Sequence, residues 1–314
     1  MTYRDGTSAP DKDVLADLRD YRPDDITKVI AVTGGSGFIG RYVCEIIGRY
    51  GHVAIPIDRS SDRESVDVRD GSAVSAHLAG CDAVIHLAGV LGTSELFADA
   101  DRAVDVNIKG TMRVLEACRA DDMVYVGITM PDCWRNLYQA TKFAALRIAE
   151  SYAESYGLRV AHVRAFNAFG EGQAYGQGHP QKIIPTFASR SWAGLPIPIW
   201  GDGEQTVDLV HASYVAETLV RVAVAGLGPD RDQNPDWPNG RVVDAGAGVE
   251  TRVIDVARMV GEITGRTVVE FLPMREGETA GTKLCAKRSR MIVDPGDQSR
   301  LLRETVESYM TAPS

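Results

Sequence analysis

The stretch KVIAVTGGSGFIGRYVCEIIGRYG, residues 28–51, opens with a short β-branched run, passes through a glycine turn and continues with apolar residues at helical spacing. That is a strand, a turn and a helix. Gly34, Gly37 and Gly40 recur at intervals of three. The bare spacing means no more than a tight turn. Placed after a first strand and at the mouth of a helix, it lets an anion approach backbone N–H groups at the positive end of the helix dipole. Gly34, Gly37, Phe38 and Ile39 are therefore read as contacts to a pyrophosphate. Asp58 ends the next β-like run, HVAIPID, eighteen residues beyond Gly40, where an acidic side chain accepts hydrogen bonds from an adenosine ribose. A dinucleotide is the expected ligand. The Asp58 carboxylate disfavours the extra phosphate of NADP and Arg59 partly offsets it, so NAD is expected.

The same alternation continues outward. DAVIHLAG is followed by a helical stretch around NIKGTMRVLEACRA, MVYVGIT by YQATKFAALRIAESYAESYG, and then comes LRVAHVRAF. Strands separated by helices of this length imply right-handed crossovers and a parallel sheet covered on both faces. The fold class is α/β, a Rossmann-type doubly wound parallel sheet. Beyond residue 168 the pattern loosens into Gly- and Pro-rich loops, GEGQAYGQGHP and GLGPDRDQNPDWPNG, between short helices and strands. The expected organisation is a polar tail over 1–25 and a cofactor domain over 26–168, with a return near 207–245. A smaller C-terminal substrate domain would comprise 169–206 and 246–314.

A chain of 314 residues with 44% hydrophobic content can bury a substantial core. A formal net charge of -9 argues against a nucleic-acid partner, because phosphate-backbone binding rests on clustered Lys and Arg. The short basic run AKRSR, 286–290, is expected to be a solvated loop. No window approaches the length of apolar residues needed to span a membrane, and the N-terminus lacks the apolar core of a signal peptide. A cytoplasmic protein is expected. The five cysteines form no C-x-x-C pair and are odd in number, which suits free thiols and neither a disulfide framework nor a metal site.

Tyr138 and Lys142 are four residues apart, which on a helix puts both on one face, one turn from each other. A tyrosine hydroxyl titrates near ~10 and is a poor base at neutral pH unless a cation favours the phenolate. Lys142 is such a cation, and Thr129, nine residues before Tyr138, completes a candidate proton-transfer trio.

With these residues assembled, the chain resembles an extended short-chain dehydrogenase/reductase of the NAD-dependent nucleotide-sugar epimerase/dehydratase family. The resemblance runs from about residue 28 to residue 310. It rests on TGGSGFIG, DVRD (67–70), HLAG (86–89), NIKGT (107–111), YQATK, VRAFNAFG (163–170), PIPIWGDGEQTVD (196–208) and REGE (275–278), in family order. It implies that Thr129, Tyr138 and Lys142 are catalytic. It also implies that Asp67 and Val68 touch the adenine, that Leu87 and Ala88 line the cofactor path, that Asn107 supports the site from the neighbouring helix, and that Phe166 packs near the nicotinamide. Leu87, Ala88 and Phe166 also read as plain core, and Asp67 as a solvated loop residue. On the substrate side the resemblance implies that Asn167, Lys182, Ile183 and Trp200 contact a nucleoside diphosphate and that Arg275 binds its phosphate, a surface charge being the plainer reading of Arg275. A homodimer formed by the helices that begin near Asn107 and carry Tyr138 is also implied.

Three departures stand out. Relatives place the catalytic Ser or Thr some two dozen residues before the tyrosine, whereas here the intervening loop is largely deleted and the pocket wall is expected to be thinner. Thr129 then also reads as a helix cap or turn residue. Relatives carry arginine where this chain has Val207, so one phosphate contact is gone. The Asp-Glu pair with which dehydratases follow the Ser/Thr is replaced by Met130 and Pro131. By subtraction the expected activity is that of an NAD-dependent nucleoside-diphosphate-sugar 4-epimerase, UDP-glucose 4-epimerase-like. It would work by transient oxidation to a bound 4-keto sugar, with NAD bound next to Tyr138 lowering that tyrosine's pKa. The alternatives are a nucleotide-sugar reductase or dehydratase, or a non-catalytic NAD-binding protein.

Overall fold

The computed structural model describes residues 26–59, 65–93, 95–176, 179, 181–228, 237 and 240–310. The expected polar tail over 1–25 lies outside them. Five strands, β1 (Val29–Thr33), β2 (Val53–Ile57), β3 (Ala83–His86), β4 (Val124–Thr129) and β5 (Val160–Ala165), alternate with helices α1 (Phe38–Arg49), α2 (Gly71–Leu78), α3 (Ala100–Val104), α4 (Thr111–Ala120) and α5 (Leu137–Tyr156). The strand Val242–Ala245 returns from the far end of the chain to the edge of the same sheet, whose order is β2, β1, β3, β4, β5 and then Val242–Ala245, all parallel. Beyond β2 a single parallel bridge, Asp58 to Ser65, extends the sheet.

Successive side chains of a strand point to opposite faces. Ile30, Val32, Ile85, Val126 and Val163 thus pack on Ile46 and Ile47 of α1 and on Leu219 and Val222. Ala31, Val84, Tyr125 and Val160 pack on Leu78, Val114, Leu115 and Ala149 from the other side. Burying one Ile, Leu or Val of this kind stabilises the fold by about 1.5–3 kcal/mol, which is why strands buried on both faces read as continuous apolar runs. The order in which strands are added to the sheet reverses between β1 and β3. The crevice outside the C-terminal ends of those strands is where an open α/β sheet takes its ligand.

The remaining elements are β6 (Asn167–Phe169), α6 (Ile183–Trp192), β7 (Ile197–Trp200), β8 (Thr206–Val207), β9 (Leu209–His211), α7 (Ala212–Ala225), β10 (the returning Val242–Ala245), β11 (Thr251–Arg252), α8 (Val253–Thr264), β12 (Val269–Leu272) and α9 (Ser299–Ser308). α7 covers the sheet beside α1. A separate core joins Phe187 and Ala188 of α6, Ile197 and Ile199 of β7, Val256 and Val260 of α8, and Leu302 and Val306 of α9. Asp208, fully buried, ties this part to β10 by accepting backbone N–H groups from Ala247 at 2.6 Å, Gly248 at 2.9 Å and Ala286 at 2.7 Å. The basic run at 286–290 is solvated only in part: Lys287, Arg288 and Ser289 are exposed, as expected, whereas its two ends are buried. Arg290 is 5% exposed, and the Lys287 N–H donates to Asp244 at 3.0 Å, because the run crosses the end of β10.

Candidate active site

Two cavities open side by side at the C-terminal edge of the sheet. One, of about 340 Å³, is lined by Gly34, Gly37, Phe38, Ile39, Asp58, Arg59, Asp67, Val68, Leu87, Ala88, Tyr138 and Lys142. These are twelve of the fourteen cofactor contacts expected from sequence. Gly34 holds φ +73, and a Cβ there would stand 2.8 Å from the Ala88 nitrogen; a Cβ on Gly40 would overlap the Gly34 carbonyl. The turn can close only without side chains, and the space it leaves is a cradle of backbone N–H groups at the start of α1. Asp58 accepts the Ser36 N–H at 3.2 Å, so its carboxylate is fixed at the rim of that cradle. Asp67 is held in a fork by Arg69, Nη2 to Oδ2 at 2.6 Å and Nε to Oδ1 at 2.9 Å, which holds its carboxyl down at about 2.

The other two do not line this cavity: Asn107 supports it from behind, as the resemblance implies, and Phe166 lies on the far side of Tyr138. Asn107, buried in a π-helical turn over Asp105–Gly110, does not line the cavity. Its Oδ1 accepts the Val90 N–H at 2.9 Å, and its Nδ2 donates to the Val90 carbonyl at 3.2 Å and to Thr141 Oγ1 at 3.0 Å. It thus braces the 87–91 strap of the cavity against α5, and its amide is fully used in doing so. Phe166 lines the second cavity instead of the first, because β5 has already ended and the chain has turned towards β6. Arg102, from α3, lines the cofactor cavity with no motif in the sequence to announce it.

The second cavity, of about 270 Å³, is lined by all five expected substrate contacts, Asn167, Lys182, Ile183, Trp200 and Arg275, together with Thr129, Met130, Pro131, Trp134, Val207 and Glu278. Arg275 stacks over the Trp200 ring, 4.6 Å from its centroid, and pairs with Glu278. Burial, followed by the charge of Arg275, pulls the Lys182 ammonium below its ordinary range, opposed by Glu95 and Glu278. The shortened loop between β4 and α5 is folded back onto the helix. Gln139 Oε1 accepts the N–H groups of Trp134 at 2.6 Å and Cys133 at 3.3 Å, and Trp134 lines the cavity.

Tyr138 lines both cavities, Lys142 only the first and Thr129 only the second. Tyr138 and Lys142 lie on the first turns of α5, whose N-terminus is capped by Asn136 Oδ1 accepting the Gln139 N–H at 2.9 Å. The Thr129 hydroxyl is buried with no hydrogen-bond partner. A buried hydroxyl left unpaired costs about 1–3 kcal/mol, so an oxygen in the second cavity would satisfy it. Burial pushes Tyr138 up to about 12 and Lys142 down to about 8. The protein's own groups therefore do not lower the tyrosine. Desolvation is the cause, and a positive charge brought into the cofactor cavity would favour the phenolate. Beneath Lys142, burial, with the lysine charge adding, holds His86 and His162 neutral, each down to about 3.

A family model described as the NAD dependent epimerase/dehydratase family matches residues 30–231. The chain belongs to that family. The UDP-glucose 4-epimerase of Mycolicibacterium smegmatis is 25% identical over 88% of this chain and 97% of its own length. A trifunctional UDP-glucose 4,6-dehydratase, 3,5-epimerase and reductase of Arabidopsis thaliana is 27% identical over 78% of this chain, which spans only 40% of that protein. In fold, the chain is similar to the UDP-glucose 4-epimerase of Thermus thermophilus solved with NAD, with a TM-score of 0.75, 22% identity, and 91% and 100% of the two chains covered. Among the described residues no helix is long and apolar enough to cross a membrane, and no group of three or more His, Cys, Asp or Glu could hold a metal ion.

Proposed function

We propose that the chain is a nucleoside-diphosphate-sugar 4-epimerase that oxidises its substrate transiently to a bound 4-keto sugar. The observation that carries this reading is the position of Tyr138 between two cavities, with Lys142 on one side and the unpartnered Thr129 hydroxyl on the other. NAD, when bound, supplies a hydride acceptor and a positive ring. Thr129 donates to the reacting sugar oxygen and fixes it against the Tyr138 hydroxyl. Tyr138, lowered towards working pH, takes the proton from that oxygen and later returns it. Lys142 lines the cofactor side of the same tyrosine and holds the ribose end. Arg275 and Lys182 receive the diphosphate, the Arg275 fork suiting two phosphate oxygens at once.

Epimerisation asks for nothing beyond this trio. Elimination of water needs a further acid and base at the sugar, and the two positions after Thr129 present Met130 and Pro131 to the cavity. A net reductase is the second reading, supported by Arg59 and Arg102 in the cofactor cavity and by Val207 where a phosphate-binding arginine would stand. A panel of nucleotide sugars incubated with catalytic NAD, and in parallel with stoichiometric NADH or NADPH, tests both. The 4-epimer should appear with no accumulation of NADH. Stoichiometric consumption of NADH or NADPH would favour the reductase, and a product lighter by one water would favour the dehydratase.

A further inference from the structure

The C-terminal strap that carries Arg275 and Glu278 touches the start of the catalytic helix. Asn136, 5% exposed, caps α5 with its Oδ1 and donates from its Nδ2 to the Gly277 carbonyl at 3.2 Å. One side chain therefore holds the first turn, where Tyr138 sits, and the backbone between Arg275 and Glu278. Gly277 makes the approach possible. It holds φ +80, and a Cβ there would stand 3.1 Å from both the Asn136 Cβ and the Phe97 ring. The strap is fixed on its other side by the turn from the Glu278 N–H to the Arg275 carbonyl at 3.2 Å and by the stacking of Arg275 on Trp200. The loop that would otherwise separate strap from helix is too short to intervene, because Gln139 folds it back on the helix.

We propose that Asn136 is a positioning residue that couples the anion-binding end of the substrate cavity to Tyr138. An anion taken by Arg275 competes with Glu278 for the guanidinium, shifts the strap, and through the Gly277 carbonyl and Asn136 sets the first turn of α5. Binding energy from the non-reacting end of the substrate is thereby expressed in turnover as well as in affinity. The inference rests on the reading of Arg275 as the diphosphate end.

Asn136→Asp separates the two bonds. Asp is as good a cap as Asn, so α5 keeps its start. The donor to Gly277 is lost. Asn136→Asp sets a buried carboxylate against the Gly277 carbonyl and should lower the melting temperature, so the neutral cap Asn136→Ser, which also lacks the donor, is made beside it. In both, NAD affinity should stay close to wild type while kcat on the full nucleotide sugar falls about 10- to 100-fold, the range expected for a small misplacement of a reacting group. The kcat advantage of the full substrate over the sugar 1-phosphate should shrink with it. Wild-type kcat in Asn136→Ser or Asn136→Asp, or an unchanged advantage, would overturn the coupling. A measurement that needs neither variant nor turnover uses UDP and hydrogen exchange on the full chain. UDP should slow exchange at amides 275–279 and also at 136–140. Protection of 275–279 alone overturns the coupling and leaves the diphosphate reading standing, and protection of neither overturns both.

Discussion

Replacing Tyr138 by Phe removes the one titrating oxygen that faces both cavities and leaves the ring that lines them. Burial holds this phenol at about 12, so at pH 7.5 the protein's own groups would ionise only about one tyrosine in 10⁴ to 10⁵. A bound cationic cofactor should close much of that gap, and ultraviolet difference titration should find Tyr138 ionising near 12 without NAD and well below with it. Loss of a general acid-base group costs ~10² to 10⁴ in rate, or about 3–5 kcal/mol of barrier. Tyr138→Phe should lose turnover to that extent while NAD affinity, measured by calorimetry, stays close to wild type. Lys142→Ala should harm both. Thr129→Val should cost about 10-fold in kcat, since the hydroxyl orients without exchanging protons. It should also stabilise the fold by about 1 kcal/mol, because it deletes a buried hydroxyl that has no partner. If Tyr138→Phe turned over the identified substrate at the wild-type rate, the trio would be three polar residues at a helix start and the mechanism would fail.

Competitive titration should show NAD bound more tightly than NADP, since Asp58 is fixed at the rim of the cofactor cradle; equal or tighter NADP binding would mean that Arg59 and Arg102 dominate. Acid should destabilise the fold. His86 and His162 are each held neutral to about 3 against an ordinary 6.5, so the unfolded chain binds more protons between those values, and stability present above 6.5 is lost as pH falls through the window. The loss is about 2 kcal/mol per imidazole at pH 5, and His162→Val should flatten the pH dependence of the urea midpoint by about half of it; an unchanged slope refutes the assignment. We expect a homodimer by light scattering at micromolar concentration, through α4 and α5. Most of the apolar side chains the sequence offers there are already used inside the chain, as Val114, Leu115, Cys118 and Leu146 are buried, which leaves Met112 on α4 and Tyr156 on α5 exposed for a partner; a monomer would remove the prediction.

The cofactor half of the molecule was legible in the one-dimensional chain because its signals are local. A strand, a glycine turn and a helix must follow one another to build the cradle, Asp58 closes the next strand, and the Tyr138–Lys142 spacing is one helical turn. Each depends on a few adjacent residues whose backbone periodicity sets their direction. Other features were settled only when distant segments met. Asn107 is drawn into bracing by Val90 and Thr141, Phe166 crosses to the substrate side, Arg102 enters the cofactor cavity, and Arg290 is buried against the end of β10. The tyrosine showed the limit most clearly. Its neighbour in sequence is a cation, yet its environment is set by desolvation, a sum over every atom packed around it, which no local pattern encodes. The contact of Asn136 with Gly277 joins residues 141 apart in sequence. No spacing rule reaches that far, and only the packing of the C-terminal strap on the shortened loop could bring the two together.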